Sequence, residues 1–307
     1  MHSANQAVPK MKILLTGSTG FLGYNIALAL LKANNDILCL KRSSSVIPFT
    51  KDEASMMSWV NFDDLNYREI INSFHPQVLI HAAWMGVSAR DRDSLDIQKS
   101  NVIMTEQMMK VYPYKQIIML GSQDEYGFIN SVVSEAHPLN PISEYAKIKI
   151  ECCRMLEQYA ESHHIVWQWI RVFSIYGLKQ GNNWIIPSTI QKCLHGDVSM
   201  DTTKGEQAYA YLYASDFADA ILSMIDSKSN SGIYNLSSAN AIRLKDLFLT
   251  IKDLTKSDIY FNFGAVNYRQ NQSMLIQGDI TKFVRTFGAF EKVNMIEGLN
   301  KVIRSYK

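Results

Sequence analysis

The chain carries the stretch Thr16-Gly17-Ser18-Thr19-Gly20-Phe21-Leu22-Gly23 between an apolar run at 11–15 and a segment of helical periodicity at 21–33. Its glycines follow the spacing G-x-x-G-x-x-G. Such glycines let the backbone approach a pyrophosphate, and the N-terminus of the following helix supplies N–H groups and a positive dipole. Because the stretch joins the first predicted strand to the first predicted helix, it predicts a dinucleotide-binding turn, with contacts from Gly17, Thr19, Gly20, Phe21, Leu22 and Gly23.

Outward from this turn, short apolar runs alternate with helical stretches, which is typical of βαβ units and a parallel sheet. The predicted strands lie at 11–15, 36–40, 57–62, 78–82, 116–120 and 165–172. The predicted helices lie at 21–33, 95–112 and 143–162. This order predicts an α/β fold with a doubly wound, parallel Rossmann sheet.

Beyond residue 172 the alternation weakens, with helical patterns at 184–195 and 216–225 and a strand at 232–236. We therefore expect a smaller C-terminal region that interleaves with the sheet. The cofactor-binding Rossmann domain is predicted at 11–176, with 206–236 returning to it. The substrate-binding region is predicted at 177–205 and 237–307.

Composition excludes several classes of protein. The chain has 307 residues, of which 47% are hydrophobic, and a formal net charge of +2, so it is not a disordered chain. Nucleic-acid binding is disfavoured, because contact with phosphates needs a concentrated excess of Lys and Arg. No apolar run approaches the ~18 residues of a membrane span. Residues 1–10 are polar and lack the apolar core of a secretory signal, so we expect a loose extension there.

The cysteines indicate neither a disulfide framework nor a metal site. They stand at positions 39, 152, 153 and 193, and the neighbouring pair points to different sides of a predicted helix. His163-His164 lacks a third ligand, so we expect no bound metal. Free thiols are typical of a reducing compartment, and the expected location is the cytoplasm.

The end of the second predicted strand favours NADP(H) over NAD(H). An acidic residue there would bind the ribose 2′-OH, whereas this chain has Lys41, Arg42 and Ser43. Arginine can bind a 2′-phosphate through two donors, and serine can add a hydrogen bond. A solvated basic turn is the alternative. Asp63, after the third strand, is placed to accept from the adenine amino group, although a plain loop carboxylate would look the same.

Three further residues have the chemistry of carbonyl reduction. Tyr145 and Lys149 are four residues apart, on one face of a predicted helix. A cation near a phenol lowers the phenol's pKa, so we expect Tyr145 to exchange protons near neutral pH. Ser122 follows the fifth strand, at the carboxyl edge where open α/β sheets bind ligands, and its hydroxyl can polarise a carbonyl.

With these motifs the chain resembles the extended short-chain dehydrogenase/reductases of the NAD-dependent epimerase/dehydratase family, in the branch that acts on nucleotide-linked sugars. The matching segments are Thr16–Gly23, His81-Ala82-Ala83, Asn101-Val102, Ser122, Tyr126-Gly127, Tyr145 with Lys149, Arg171-Val172-Phe173, Tyr176-Gly177 and Tyr234-Asn235-Leu236. The resemblance implies that Ser122, Tyr145 and Lys149 are catalytic and that Lys149 also binds the nicotinamide ribose. It further implies that Ala82 and Ala83 lie along the cofactor, with the Asn101 side chain as a support beneath the site.

One departure bears on the reaction type. Family 4,6-dehydratases carry an Asp-Glu pair at the third and second positions before the Tyr-Gly that follows the fifth strand. This chain has Gln123 and Asp124 there, and its own Asp-Glu pair is shifted by one residue. Alternation along an extended segment would turn the shifted pair to the other face, so we expect no elimination chemistry.

The C-terminal half resembles bacterial nucleotide-sugar 4-ketoreductases such as those that make CDP-abequose and CDP-paratose. The resemblance lies in Gly205-Glu206-Gln207, Phe263–Arg269, Gln272, Met274 and Asp279. Tyr209 replaces a diphosphate-binding arginine of the family. Arg269 is therefore the main candidate to bind the diphosphate, and Arg171 is a second candidate. A structural salt bridge is the alternative for both. Trp84 and Gln123 are candidates to contact the sugar.

The predicted activity is the NADPH-dependent reduction of the C4 ketone of a nucleoside-diphosphate 4-keto-6-deoxyhexose, giving a deoxysugar nucleotide for surface polysaccharide. An NAD-dependent nucleotide-sugar 4-epimerase is the alternative, and a non-catalytic NADP-sensing protein is a more distant one. The resemblance also implies a homodimer through the helices at 95–112 and 143–162. Their apolar residues include Met104, Met108, Ile148, Cys152, Met155 and Tyr159.

Overall fold

The computed structural model describes residues 10–225 and 230–307. Most of the extension predicted at 1–10 therefore lies outside the described residues, as do residues 226–229 of the predicted segment 206–236. All four cysteines belong to the described part, where each is a buried, unpaired thiol. None of the helices in the described ranges is long and apolar enough to cross a membrane.

The strands are numbered in chain order. They are β1 (Lys12–Thr16), β2 (Asp36–Lys41), β3 (Ser58–Asn61), β4 (Val78–His81), β5 (Gln116–Leu120), β6 (Val132–Val133), β7 (Val166–Val172), β8 (Ile175–Tyr176), β9 (Ser199–Thr202), β10 (Ala208–Tyr209), β11 (Leu212–Tyr213), β12 (Gly232–Leu236), β13 (Ile242–Arg243), β14 (Tyr260–Phe263) and β15 (Leu275–Gly278).

The helices are numbered in the same way. They are α1 (Phe21–Lys32), α2 (Lys51–Ser55), α3 (Tyr67–Phe74), α4 (Leu95–Lys110), α5 (Glu144–Ser162), α6 (Ile185–His195), α7 (Ala214–Met224), α8 (Leu244–Thr255), α9 (Thr281–Phe287) and α10 (Met295–Arg304). A 3₁₀ helix covers Gln123–Tyr126. The sequence did not predict α2, α3 or α8 to α10. Helices α2, α3 and α9 have only five to eight residues, whereas α8 and α10 were missed although each carries a buried apolar face.

A seven-stranded parallel sheet in the order β12-β7-β5-β4-β1-β2-β3 forms the centre of the molecule. It confirms the predicted α/β Rossmann class. β12, from the segment predicted to return to the sheet, pairs with β7 at one edge. The division of the chain into two regions stays a prediction.

The central strands are buried on both faces, which explains why they are continuous apolar runs. On β1, Ile13 and Leu15 join the core shared with α1 and α7, whereas Leu14 joins the core shared with α4 and α5. Helix α5 begins at Glu144 because the Ser143 side chain accepts a hydrogen bond from the Ala146 N–H.

The C-terminal half adds a four-stranded sheet in the order β13-β10-β15-β6 and the pair β14-β9. A third apolar core lies beneath them, with Tyr176, Leu247 and Leu299 among its buried members. The small sheet reaches back to the first half of the chain, because β15 pairs with β6.

Candidate active site

The glycine-rich turn lies directly against the end of β4. Gly17 has a φ of +74°, and a Cβ added there would lie 2.6 Å from the Ala83 nitrogen. A Cβ at Gly23 would collide with the Gly17 carbonyl. Only glycine fits these two positions, so the turn brings backbone, rather than side chains, to the carboxyl edge of the sheet.

The beginning of α1 fits a dinucleotide pyrophosphate. Gly20 is the N-cap residue, and neither a capping side chain nor a first-turn acid from the described residues occupies this end of the helix. The first N–H groups of a helix have no intrahelical partner, so those of Phe21, Leu22 and Gly23 are suited to bind an anion. We expect this helix end to hold the diphosphate of the dinucleotide.

A buried histidine joins the turn to β4. The Thr16 hydroxyl accepts a hydrogen bond from the Ala83 N–H at 3.1 Å and lies 2.8 Å from Nδ1 of His81. Burial, followed by the nearby Lys149, lowers the pKa of His81 to about 3, so the ring is neutral. This contact fixes the path of Ala82 and Ala83 along the predicted cofactor.

The residues predicted at the adenosine end are neighbours, with a contact that the sequence did not reveal. Both carboxylate oxygens of Asp63 accept from Ser43, one from its N–H at 2.9 Å and one from its hydroxyl. These hydrogen bonds lower the pKa of Asp63, and Lys41 adds a smaller effect. Lys41 donates to the carbonyl of Arg42 at 3.1 Å. Two cations and one carboxylate therefore share this corner of the sheet.

The predicted trio converges at the end of β5. Ser122 is the N-cap of the 3₁₀ helix, and its hydroxyl accepts from the Asp124 N–H at 3.2 Å. The same hydroxyl lies close enough to Tyr145 to influence its phenol by hydrogen bonding. Lys149, one helical turn after Tyr145, donates to the Leu120 carbonyl at 2.6 Å. Its Nζ lies 5.7 Å from the centre of the Tyr145 ring.

Protonation in the site differs from the sequence expectation. Burial, with a smaller contribution from Asp124, raises the pKa of Tyr145 to about 12. Burial also lowers the pKa of Lys149 to about 7. The expected lowering of the Tyr145 pKa toward neutrality is therefore not seen, because burial of the phenol dominates. Tyr145 is therefore protonated at neutral pH.

A buried ion pair lies directly beneath Ser122, and sequence reasoning missed it. Glu125 is fully buried, and its Oε1 accepts from the Ser122 N–H at 2.8 Å and from the Trp169 indole at 2.9 Å. Its Oε2 accepts from Nε of Arg171 at 2.8 Å. Trp169 and Arg171 are two residues apart on β7, so their side chains face the same side of the strand. This spacing is the sequence signal from which the buried cluster could have been predicted.

The same geometry places Arg171 in the interior. Its guanidinium also donates to the Tyr126 hydroxyl at 2.9 Å and to the Glu135 carbonyl at 3.2 Å, and its side chain is 3% exposed. These contacts favour a structural role over the predicted contact with a substrate diphosphate. Arg269, in contrast, is exposed on the segment before β15.

The other predicted sugar contacts lie beside the trio. The Trp84 ring covers Nζ of Lys149 at 3.4 Å from the ring centre and meets the Tyr145 ring edge to face. Its indole donates to Gln98 at 3.0 Å. The side-chain oxygen of Gln123 is buried without a hydrogen-bond partner among the described residues.

The segment that follows Trp84 is tied to α4. Asn101 is fully buried, accepts from the Met85 N–H at 2.8 Å and donates to the Met85 carbonyl at 3.0 Å. Gln98 donates to the carbonyls of Gly86 and Asp91. These contacts agree with the supporting role that the resemblance implies for Asn101.

The same segment carries Arg92, a second site residue that the sequence analysis did not predict. Nη1 of Arg92 lies 2.6 Å from Oδ2 of Asp124, and the guanidinium carbon lies 4.5 Å from the centre of the Tyr145 ring. The contact depends on the path of an irregular loop, which no periodicity in the sequence encodes.

Comparison with known proteins identifies relatives that match almost the whole chain. A CDP-abequose synthase of Salmonella muenchen is 26% identical over 95% of this chain and 97% of its own length. A protein of Methanocaldococcus jannaschii with the provisional name UDP-glucose 4-epimerase is 27% identical over 96% of this chain and 98% of its own length.

A solved structure shares the fold. It is the UDP-N-acetylglucosamine 4-epimerase of Methanobrevibacter ruminantium, with a TM-score of 0.87 and 21% identity, covering 97% of this chain and 99% of its own. The model of the NAD dependent epimerase/dehydratase family matches residues 13–237. The chain therefore belongs to this family of NAD(P)-dependent enzymes, as its sequence predicted.

Proposed function

We propose that the protein reduces the C4 ketone of a nucleoside-diphosphate 4-keto-6-deoxyhexose with NADPH in the cytoplasm, giving a deoxysugar nucleotide for surface polysaccharide. The observation that carries this proposal is the convergence of Ser122, Tyr145 and Lys149 at the end of β5. A protonated phenol can give its proton to the oxygen of a ketone under reduction, whereas an oxidation must first remove that proton.

NADPH would bind at the glycine-rich turn and supply the hydride. Ser122 donates a hydrogen bond to the ketone oxygen and stabilises the negative charge that develops there. Tyr145 transfers its proton to the same oxygen. Lys149 holds the nicotinamide ribose and, when charged, stabilises the phenolate left on Tyr145.

Gln123 supports reduction over elimination, and Arg269 supports a nucleotide-linked substrate. Gln123 carries an amide where family dehydratases have an acid, and an amide cannot donate a proton as an acid does. Exposed Arg269 is available for the diphosphate, and it lies near Tyr209, whose hydroxyl accepts from Gln272 at 2.8 Å. Arg269 thus compensates for the arginine that Tyr209 replaces.

The test is a panel of 4-keto-6-deoxy sugars linked to CDP, UDP, GDP and dTDP, each mixed with the protein and either NADPH or NADH. We expect oxidation of one NADPH per sugar, followed by absorbance, and slower use of NADH, because Lys41 and Arg42 attract a 2′-phosphate. Consumption of neither cofactor with any member of the panel would contradict the proposal.

A nucleotide-sugar 4-epimerase is the second candidate, and the Asp63 carboxylate favours it. A carboxylate at the adenosine corner repels a 2′-phosphate and suits the free ribose hydroxyl of NAD. An epimerase re-reduces its own intermediate, so it would retain NAD through purification and convert a 4-hydroxy sugar nucleotide without net cofactor use. The same panel, extended to such sugars, separates the two candidates.

We also propose that the protein is a homodimer through α4 and α5. Met108, Ile148 and Cys152 belong to the protein's own core, so they do not form the dimer surface. Ile103, 58% exposed on α4, and the partly buried Met104 and Met155 are available for it. We expect a light-scattering mass of two chains, and a mass of one 34.9 kDa chain would contradict the dimer.

A further inference from the structure

The ion pair between Arg92 and Asp124 is built into the wall of the proposed catalytic site. Besides the side-chain contacts already described, the Tyr145 N–H donates to the Arg92 carbonyl at 2.9 Å. A second hydrogen bond joins the residues adjacent to Tyr145 and Arg92: the Glu144 N–H donates to Oδ1 of Asp93 at 3.2 Å. The loop and the beginning of α5 therefore hold Arg92 and the Tyr145 ring in a fixed relation.

Asp124 connects this pair to the other side of the site. Its backbone N–H donates to the Ser122 hydroxyl, while its carboxylate binds Arg92. The two groups proposed to contact the ketone oxygen, on Ser122 and Tyr145, are thus linked through a single ion pair. The side chains of Arg92 and Asp124 are 30% and 25% exposed, so the pair is partly shielded from water.

The charges that face the Tyr145 phenol come from three elements. Asp124 and Glu125, on the 3₁₀ helix, raise its pKa, and Arg92, on the loop, lowers it. Lys149, on α5 itself, lies farther from the ring than Arg92 does, at 5.7 Å against 4.5 Å.

Arg92 also differs from Lys149 in the permanence of its charge. With a pKa near 7, Lys149 carries only part of a charge at neutral pH. A guanidinium stays charged throughout the range in which proteins are active. Arg92 is therefore the constant cation beside the phenol, and Asp124 is the anion that opposes it.

We infer that Arg92 and Asp124 are positioning residues with opposite effects on Tyr145: Arg92 favours the phenolate, Asp124 opposes it, and together they set how readily Tyr145 exchanges its proton. The inference rests on the proposed function. In that reaction the O–H bond of Tyr145 breaks, its electron pair stays on the phenolate oxygen, and the proton forms a new bond with the substrate oxygen that has become negative by accepting hydride at carbon.

The first test needs no substrate. Tyrosines labelled with ¹³C at the ring carbon bearing the hydroxyl are followed by NMR up to about pH 11, where the Tyr145 signal reports the fraction of phenolate below a pKa of about 12, and Tyr145→Phe identifies that signal. We expect Arg92→Met to raise the pKa of Tyr145 and Asp124→Asn to lower it, each by about one unit. At a given high pH, the Tyr145 signal moves closer to its phenolate position in Asp124→Asn and stays farther from it in Arg92→Met.

The second test uses catalysis in the oxidative direction, where Tyr145 must lose its proton. At a fixed pH below the pKa of Tyr145, a shift of about one unit changes the rate about tenfold, lower in Arg92→Met and higher in Asp124→Asn. Arg92→Lys keeps the charge and restores most of the lost rate. Lys10→Met removes an exposed ion pair with Asp36, at the opposite edge of the sheet from the site, and leaves both readouts unchanged.

A purely structural pair would give a different pattern. Arg92→Met and Asp124→Asn would then both lower the oxidative rate, or KM would rise while the pKa of Tyr145 stayed unchanged. Either result overturns the inference. If the wild-type protein accepts no 4-keto sugar and no 4-hydroxy sugar, the proposed function fails. The NMR titration still decides whether Arg92 and Asp124 act on Tyr145.

Discussion

Replacing Tyr145 with phenylalanine lowers kcat for ketone reduction by about 10²–10⁴-fold, the range in which a positioned proton donor contributes to a reaction. The phenylalanine ring keeps its packing against Trp84 and Arg92, so the site retains its shape. We therefore expect the Kd for NADPH, measured by fluorescence, to change by less than about threefold, well below one tenfold step of ~1.4 kcal/mol. The loss appears in kcat because the missing proton is needed only as the ketone is reduced.

Tyr159→Phe is the matched control, because Tyr159 lies on the same helix and its ring stacks on His163 outside the site. It loses a hydroxyl of the same kind, and we expect its kcat to equal that of the wild type. Retention of more than about a tenth of the activity in Tyr145→Phe would show that another group supplies the proton. It would also remove the main support for the proposed reduction.

The central strands of the sheet were predictable because they are buried on both faces. β4 and β5 are buried along their whole length, and such strands stand out in a sequence as unbroken apolar runs. β10, in contrast, has only two residues, Ala208 and Tyr209, which is too short to show a period of two. The pairing of β15 with β6 joins segments far apart in the chain, and no local pattern encodes it.

The residues of the candidate active site follow the same division. Ser122, Tyr145 and Lys149 were found because each has a fixed place relative to a strand end or a helix turn. Arg92 was missed, because its position depends on a loop held by Gln98 and Asn101. The pKa of Tyr145 was misjudged because spacing along a helix says nothing about the depth of burial, and burial dominates here.

Glu125→Gln should destabilise the protein strongly, by about 3–5 kcal/mol, because it leaves the Arg171 guanidinium as a buried charge without a carboxylate. A glutamine oxygen can still accept from the Ser122 N–H or from Trp169. Its amide, however, turns a donor toward the donors of Arg171. Urea unfolding measures the loss as a lower midpoint at an unchanged slope.

The exposed ion pair between Glu106 and Lys110 on α4 provides the control, and Glu106→Gln should cost under about 1 kcal/mol. A double variant, Glu125→Gln with Arg171→Met, removes the unpaired charge, so it should be more stable than the two separate losses added together. Purely additive losses would mean that the two charges do not stabilise each other. The carboxylate beneath Ser122 would then act through its hydrogen bonds to Ser122 and Trp169, and Arg171 through its hydrogen bonds to Tyr126 and Glu135.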